Sequence, residues 1–306
     1  MYGVGGPEWS GTDLKETRRA LQLAVDLGCT FFDTAWGYGQ GVGERLLGEL
    51  LRSNRNRDLL AATKVPPKNL QWPSRRGDPI AAAFPPSHIR EYVHKSAKNL
   101  GVDQIGLLQF HVWEDEWAED EGWQRTLDDL RRDGLIGAVG VSLNRWEPWN
   151  GLKTVRSGLI NCVQVIYNIF DQAPEDELFP LCRKMGVAII ARVPLDEGGL
   201  TGALTTASSW PDGDWRNIYF GPENLEPTVT RATSLLELVP DGSTLPDLAL
   251  GFVLANQDVA TVIPGMRTRA HVLANMRASS QRPLGPDVIS ALRAHRWDRQ
   301  PTTWSL

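Results

Sequence analysis

The 306-residue chain is predicted to be an α/β protein of the (β/α)8, TIM-type barrel class, on three observations. Short continuous apolar runs alternate with amphipathic stretches of helical spacing, the pattern of a parallel sheet covered on both faces. The runs lead into long loops, as barrel strands do on their C-terminal face. The glycine-rich turn that follows the first strand of a doubly wound dinucleotide fold is missing, since YGVGGPEW reads as a loop and holds no G-x-G-x-x-G.

The elements follow in order. From Thr12 to Gly28 apolar residues recur at helical spacing (Leu14, Ala20, Leu21, Leu23, Ala24, Leu27), with Asp13 as N-cap and Gly28 as stop. CTFFDTA is a strand, VGERLLGELLRS a helix and DLLAATKV a strand. A helix from Ser87 to Leu100, ended by Gly101, precedes the strand IGLLQFH. Helix EGWQRTLDDLRRDG and strand IGAVGVSL come next, then a helix over Glu147 to Ser157 and strand NCVQVIYN. A helix over Glu175 to Met185 leads to strand GVAIIARVP. Two helices, Glu226–Val239 and Leu245–Asn256, precede VATVIPG and a last helix near Arg269–Ser279.

Seven strands are counted, from Thr30, Leu59, Ile105, Ile136, Asn161, Val187 and Thr261. A barrel of this class has one more, expected ahead of the first helix, where only MYGVGGPEWSG stands. The first strand is therefore expected to be truncated, absent or encoded upstream of this start. An open seam would leave two strand edges unpaired, at a cost in stability. Residues 1–306 are read as one domain, with long loops on the C-terminal face at about 66–86, 112–121 and 195–225. Their aromatics suit a pocket or lid, and Trp36, Trp72 and Trp113 are the candidates for a substrate wall.

Composition narrows the class further. With 42% hydrophobic residues and a net charge of -5, the chain can bury a large core and lacks the basic, aromatic-interleaved stripe of a nucleic-acid binder. Three scattered cysteines, Cys29, Cys162 and Cys182, have no C-x-x-C spacing and suggest neither a disulfide framework nor a metal site. There is no apolar stretch of spanning length and no signal-peptide pattern at the start, so the expectation is a cytoplasmic protein without a membrane partner. A monomer or weak homo-oligomer is expected.

Four polar residues stand at or just past strand ends: Asp33, Tyr38, Lys64 and His111. An isolated tyrosine has a pKa near ~10, too high for easy proton exchange at neutral pH. A neighbouring ammonium lowers it and a carboxylate holds that ammonium in place. A histidine donor aimed at the same oxygen orients and polarises a carbonyl. Tyr38 is thus expected to give a proton to a developing alkoxide, with Lys64 tuning it, Asp33 positioning Lys64 and His111 orienting the substrate. Taken singly, each has a bland reading as a turn anchor, a solvated strand-end lysine or a core histidine; the joint pattern outweighs them. Side chains supply no hydride, so a cofactor must.

At these residues the chain resembles the aldo-keto reductase family. FFDTAWGYGQGVGERLLGELL is similar to that family's DTA-x-x-YG-x-x-E-x-x-LG signature, AATKV to its lysine strand and LLQFHVWED to its LLQLH segment. The resemblance implies a (β/α)8 barrel lacking the family's N-terminal hairpin, catalytic Asp33, Tyr38, Lys64 and His111, and reduction of an aldehyde, ketone or keto-sugar with NADPH. A nicotinamide-holding regulatory subunit of the channel β-subunit type is the alternative. For the nicotinamide carboxamide it implies Ser142 and Gln164, with Leu143 where the family commonly has Asn. Arg192 occupies the place of the stacking aromatic, where a planar guanidinium can stack. Pro194, Leu195, Gly198 and Leu200 fall on the segment that lies along the pyrophosphate. VIPGMRTRAHVLAN resembles the adenosine-phosphate segment, bringing in Gly265, Arg267, Arg269, His271 and Asn275. Gly265 and His271 stand where many members have Lys and Arg, so Arg267 or Arg269 would supply the charge for a 2′-phosphate, favouring NADPH over NADH.

Overall fold

The computed structural model describes residues 13–143 and 147–299. Helix α1 (Leu14–Asp26) starts at Asp13, whose carboxylate accepts the Lys15 backbone N–H at 2.8 Å. It stops at Gly28, whose φ of +93° no side-chain-bearing residue adopts cheaply. Strand β1 (Phe31–Asp33) follows, then α2 (Val42–Ser53), β2 (Leu60–Val65), the single turn α3 (Ile80–Ala83), α4 (Pro86–Leu100) and β3 (Ile105–Phe110). After it come α5 (Glu121–Arg132), β4 (Ile136–Ser142), α6 (Leu152–Arg156), β5 (Cys162–Ile166), α7 (Leu178–Met185) and β6 (Ala188–Arg192). The chain continues with α8 (Trp215–Ser234), α9 (Leu245–Ala255), β7 (Val259–Val262), α10 (Arg269–Ala278) and α11 (Pro286–Arg293).

The strands form one seven-stranded sheet in chain order, each pair parallel. Helix α1 packs against α10, the helix after β7, so the two ends of the sheet approach and it curls round as a barrel wall does. Among the described residues β1 and β7 are not paired with each other. The expected first strand falls before residue 13, outside the described residues.

Register and the two-residue strand period sort the side chains into layers. Phe31, Ala62, Leu107, Ala138, Cys162 and Ile190 point inward and pack together as an apolar layer. Two residues further along the same strands stand Asp33, Lys64, Gln109, Gly140, Gln164 and Arg192. This upper layer is polar, and it lies at the mouth. The intervening residues, among them Phe32, Leu108, Val139, Val163 and Ala191, face the helices and join the main core. There Phe110 and Trp113 meet at a tilt, and Trp117 and Trp123 pack edge to face against them.

Several boundaries depart from the sequence reading. The helix expected over Glu147 to Ser157 is only α6, because Pro148 and Gly151 oppose an earlier start. The Asp115 carboxylate, from the loop after β3, accepts the Lys153 and Thr154 backbone N–H groups at 2.7 and 2.8 Å and caps it there. The 195–225 loop ends in the first turns of α8, which is broken at Gly221 (φ 58°) ahead of Pro222. Helix α11 was not expected from the pattern.

Candidate active site

The quartet assembles. Asp33 closes β1, and the turn after it carries Tyr38; Lys64 is the fifth residue of β2. His111 leaves β3 with its N–H still bound to Val65 O at 3.1 Å. Lys64 Nζ makes a short ion pair with Asp33 Oδ2 and donates to Thr34 O at 2.9 Å. It lies 5.3 Å from the centre of the Tyr38 ring. The Tyr38 and His111 rings meet edge to face, 5.4 Å between centres.

Burial governs the electrostatics. It pushes the Tyr38 phenol well above its ordinary value, and the Asp33 carboxylate adds to the rise; Arg192 is the cation that opposes it. Lys64, expected to pull the phenol down, is held in the ion pair with Asp33. Lys64 itself is lowered, first by desolvation, with the Asp33 carboxylate working the other way. His111 is held well below the ordinary imidazole range by desolvation and then by the Lys64 and Arg192 charges. A neutral His111 and a protonated Tyr38 are both donors, which is what a carbonyl oxygen needs. His111 Nδ1 is buried with no hydrogen-bond partner. Gly37 lies alongside it, where a Cβ would make ordinary contacts of 3.7 Å with Nδ1 and 4.0 Å with the Trp72 ring.

The aromatic candidates separate. Trp72 is 38% exposed and stacks edge-on against His111 at 4.5 Å, a wall beside the quartet. Trp36 is half-buried, with its ring against Tyr92 of α4 at 4.8 Å. Trp113 was expected to line a pocket, yet it is fully buried in the aromatic core, with Nε1 bound to Thr154 Oγ1 at 2.7 Å. An indole of that size completes the packing between α5 and the sheet, and it reaches no solvent.

The positions implied for a cofactor surround the same mouth. Ser142 and Gln164 are register partners on β4 and β5, both buried. Gln164 Nε2 donates to Asp33 Oδ1 at 3.0 Å and to Gln109 Oε1 at 3.2 Å. Arg192 ends β6 and donates to Leu143 O at 2.7 Å. Beyond it the chain turns through Val193, Asp196 and Glu197, all with φ between 49° and 56°, a left-handed conformation that costs energy without glycine. The turn is held from beneath: Asp196 accepts the Tyr219 hydroxyl at 2.7 Å and pairs with Arg299 at 2.9 Å. Pro194 and Leu200 are buried as part of that footing, Leu195 is half-buried, and Gly198 has open space where a Cβ would be.

At the far end Asn275 donates to Gly265 O at 3.2 Å. Arg269 is committed to Glu16 of α1, at 3.1 Å. Arg267 is lowered by desolvation and then by Arg216, and His271 by desolvation and then by Arg267. Arg216 of α8, beside Arg267, is itself paired with Asp214 through two contacts at 2.9 and 2.8 Å. Gln164 with Ser142 offers the mixed donor and acceptor set that a carboxamide requires.

Sequence reasoning missed Gln109, Arg216 and Glu197. Gln109 had a signal: like Lys64 and Gln164, it is a polar residue inside an otherwise apolar strand. Arg216 and Glu197 had none, because loop folding alone brings their charges near Arg267.

The fold is a seven-stranded parallel sheet of barrel type, with a phenol, an imidazole and a buried ammonium–carboxylate pair gathered at its mouth. The chain belongs to the aldo/keto reductase family, whose family description matches residues 1–296. It is 28% identical over 288 residues to the NADH-specific methylglyoxal reductase of Escherichia coli, covering 90% of this chain and 86% of that one. It is also 28% identical to a probable voltage-gated potassium channel subunit beta of Arabidopsis thaliana, over 90% of this chain and 86% of the other. The glycerol dehydrogenase structure from Gluconobacter oxydans superimposes with a TM-score of 0.77 at 25% identity, covering 96% of this chain and 88% of that one. No described helix is long and apolar enough to cross a membrane, and no described group of His, Cys, Asp and Glu could hold a metal ion.

Proposed function

We propose that the protein reduces an aldehyde, ketone or keto-sugar to the alcohol with a nicotinamide cofactor, NADPH ahead of NADH. The observation that carries this reading is the buried Lys64–Asp33 pair directly beneath Tyr38 and beside a neutral His111. NADPH, when bound, supplies the hydride to the carbonyl carbon.

The chain's own residues do the rest. Gln164 and Ser142 would hold the carboxamide, Arg192 would stack against the ring, and Arg267 with Arg216 would take the 2′-phosphate. His111 and Tyr38 donate to the carbonyl oxygen and so favour negative charge developing there. The Tyr38 O–H bond then breaks as the alcohol O–H forms, and Lys64 stabilises the phenolate left behind. Burial lifts the resting phenol, so the proton stays on Tyr38 until the alkoxide calls for it. The intact quartet favours this reading over a channel-subunit role with little turnover.

The test is to mix the protein with NADPH, and separately NADH, and a panel of aldehydes, ketones and keto-sugars, following absorbance at the nicotinamide band. Loss of absorbance that depends on the carbonyl supports the reading. Cofactor binding without any carbonyl-dependent loss across the panel sinks it.

A further inference from the structure

The middle of the polar layer holds a residue to which the proposed chemistry assigns no role. Gln109 on β3 is in register with Gly140 on β4, and Gly140 with Cys162 on β5, two residues before Gln164. A side chain on Gly140 would collide with Cys162, its Cβ lying 2.3 Å from Sγ. With that position empty, Gln109 and Gln164 reach each other across β4. Both are buried, and both donate to the same oxygen of Asp33, at 3.1 and 3.0 Å, while Lys64 takes the other.

The hydrogen-bond inventory of these groups is limited. The Gln164 amide nitrogen has two N–H bonds, here used on Asp33 and Gln109. A ligand carboxamide oxygen that accepts from this nitrogen must draw it from one or both partners. Asp33 Oδ1 then keeps the Gln109 donor at 3.1 Å. We propose that Gln109 is a positioning residue that couples the Gln164 seat to the Asp33–Lys64–Tyr38 acid: it competes for Gln164 when the seat is empty and keeps Asp33 aligned on Lys64 when it is filled. This inference rests on the nicotinamide-dependent reading of the site.

Two effects of opposite sign follow from Gln109→Met, which keeps the volume and removes the polar atoms. Loss of a hydrogen bond to a buried carboxylate lowers kcat by about tenfold. Release of Gln164 from one competing acceptor tightens NADPH binding severalfold, while ADP-ribose 2′-phosphate, which lacks the carboxamide, binds as before. Gln109→Glu supplies a signature that a packing role would not. Its carboxyl donates to Asp33 only when protonated, so kcat recovers as pH is lowered and is lost as pH is raised, a trend absent from the Met variant.

The experiment measures kcat against pH, and NADPH and ADP-ribose 2′-phosphate affinity by fluorescence quenching, for the full chain and both variants. Lower kcat with tighter NADPH in the Met variant and acid rescue in the Glu variant uphold the proposal. Wild-type kcat and affinity in the Met variant, or equal weakening of both ligands, overturn it. If the wild type binds NADPH but turns over no carbonyl, the reductase reading fails, and the affinity comparison alone decides for or against Gln109. Absence of NADPH binding in the wild type overturns both.

Discussion

Replacing Lys64 by methionine removes the ammonium from a site that is fully buried and leaves the Asp33 carboxylate, only 5% exposed, without its counter-ion. Breaking a buried ion pair on one side commonly costs about 3–5 kcal/mol, most of it the price of the stranded charge. Asp33 keeps the Gln109 and Gln164 donors, at 3.1 and 3.0 Å. Each hydrogen bond to a charged group is worth roughly 1.5–3 kcal/mol, so the loss should fall at the low end, about 3 kcal/mol. Asp33→Asn strands the ammonium instead, with the Thr34 carbonyl still accepting from it at 2.9 Å. The double variant strands neither charge and should lie within about 1.5 kcal/mol of wild type, because neutral replacements of a buried pair are often tolerated. Urea unfolding of the four proteins gives the coupling energy directly, since only neighbouring sites fail to add. Additive losses, with the double variant as unstable as the sum of the singles, would refute the picture of a mutually compensated pair.

Other expectations follow from the same geometry. Burial raises the Glu197 carboxyl to about 7, and the stability associated with keeping it protonated is complete below the unfolded value of about 4.3 and lost as pH climbs through 7. Glu197→Gln should therefore gain on the order of 2 kcal/mol relative to wild type between pH 4 and pH 8, read as the difference between two pH–stability curves. Asp196, raised by burial to about 6, has the same sign and should leave a residual slope in that variant. Trp113→Ala should cost about 3–5 kcal/mol in unfolding free energy without raising KM for any carbonyl, as befits a core indole; a selective KM effect would return it to the pocket. Arg267→Ala should weaken NADPH by at least about tenfold and leave NADH nearly unchanged, measured by titration of each cofactor. Equal weakening of both would remove Arg267 from the 2′-phosphate.

What the sequence makes legible and what it hides divide along physical lines. Strands of a parallel sheet are buried on both faces and read as apolar runs, so seven were visible from hydropathy alone, and the polar interruption at Lys64 marked the site. The start of α1 was visible because Asp13 caps it locally. Helix α6 was misjudged because its cap, Asp115, comes from another loop, a contact that no local pattern encodes. Trp113 looked like a pocket residue from its place after His111; only the packing of α5 against the sheet shows it to be core. The link between Gln109 and Gln164 depends on the empty space at Gly140, which register reveals and residue type does not. The approach of the Arg192 charge to Tyr38 likewise needed three-dimensional placement of a residue 154 positions further along the chain.

The central claim is that Tyr38 is the proton donor. Tyr38→Phe keeps the ring that meets His111 and removes only the hydroxyl. Stopped-flow measurement of NADPH oxidation with the best carbonyl substrate, beside a fluorescence titration of NADPH, should show turnover reduced by at least about a hundredfold with cofactor affinity unchanged. Turnover persisting at the wild-type rate in that variant would contradict the account.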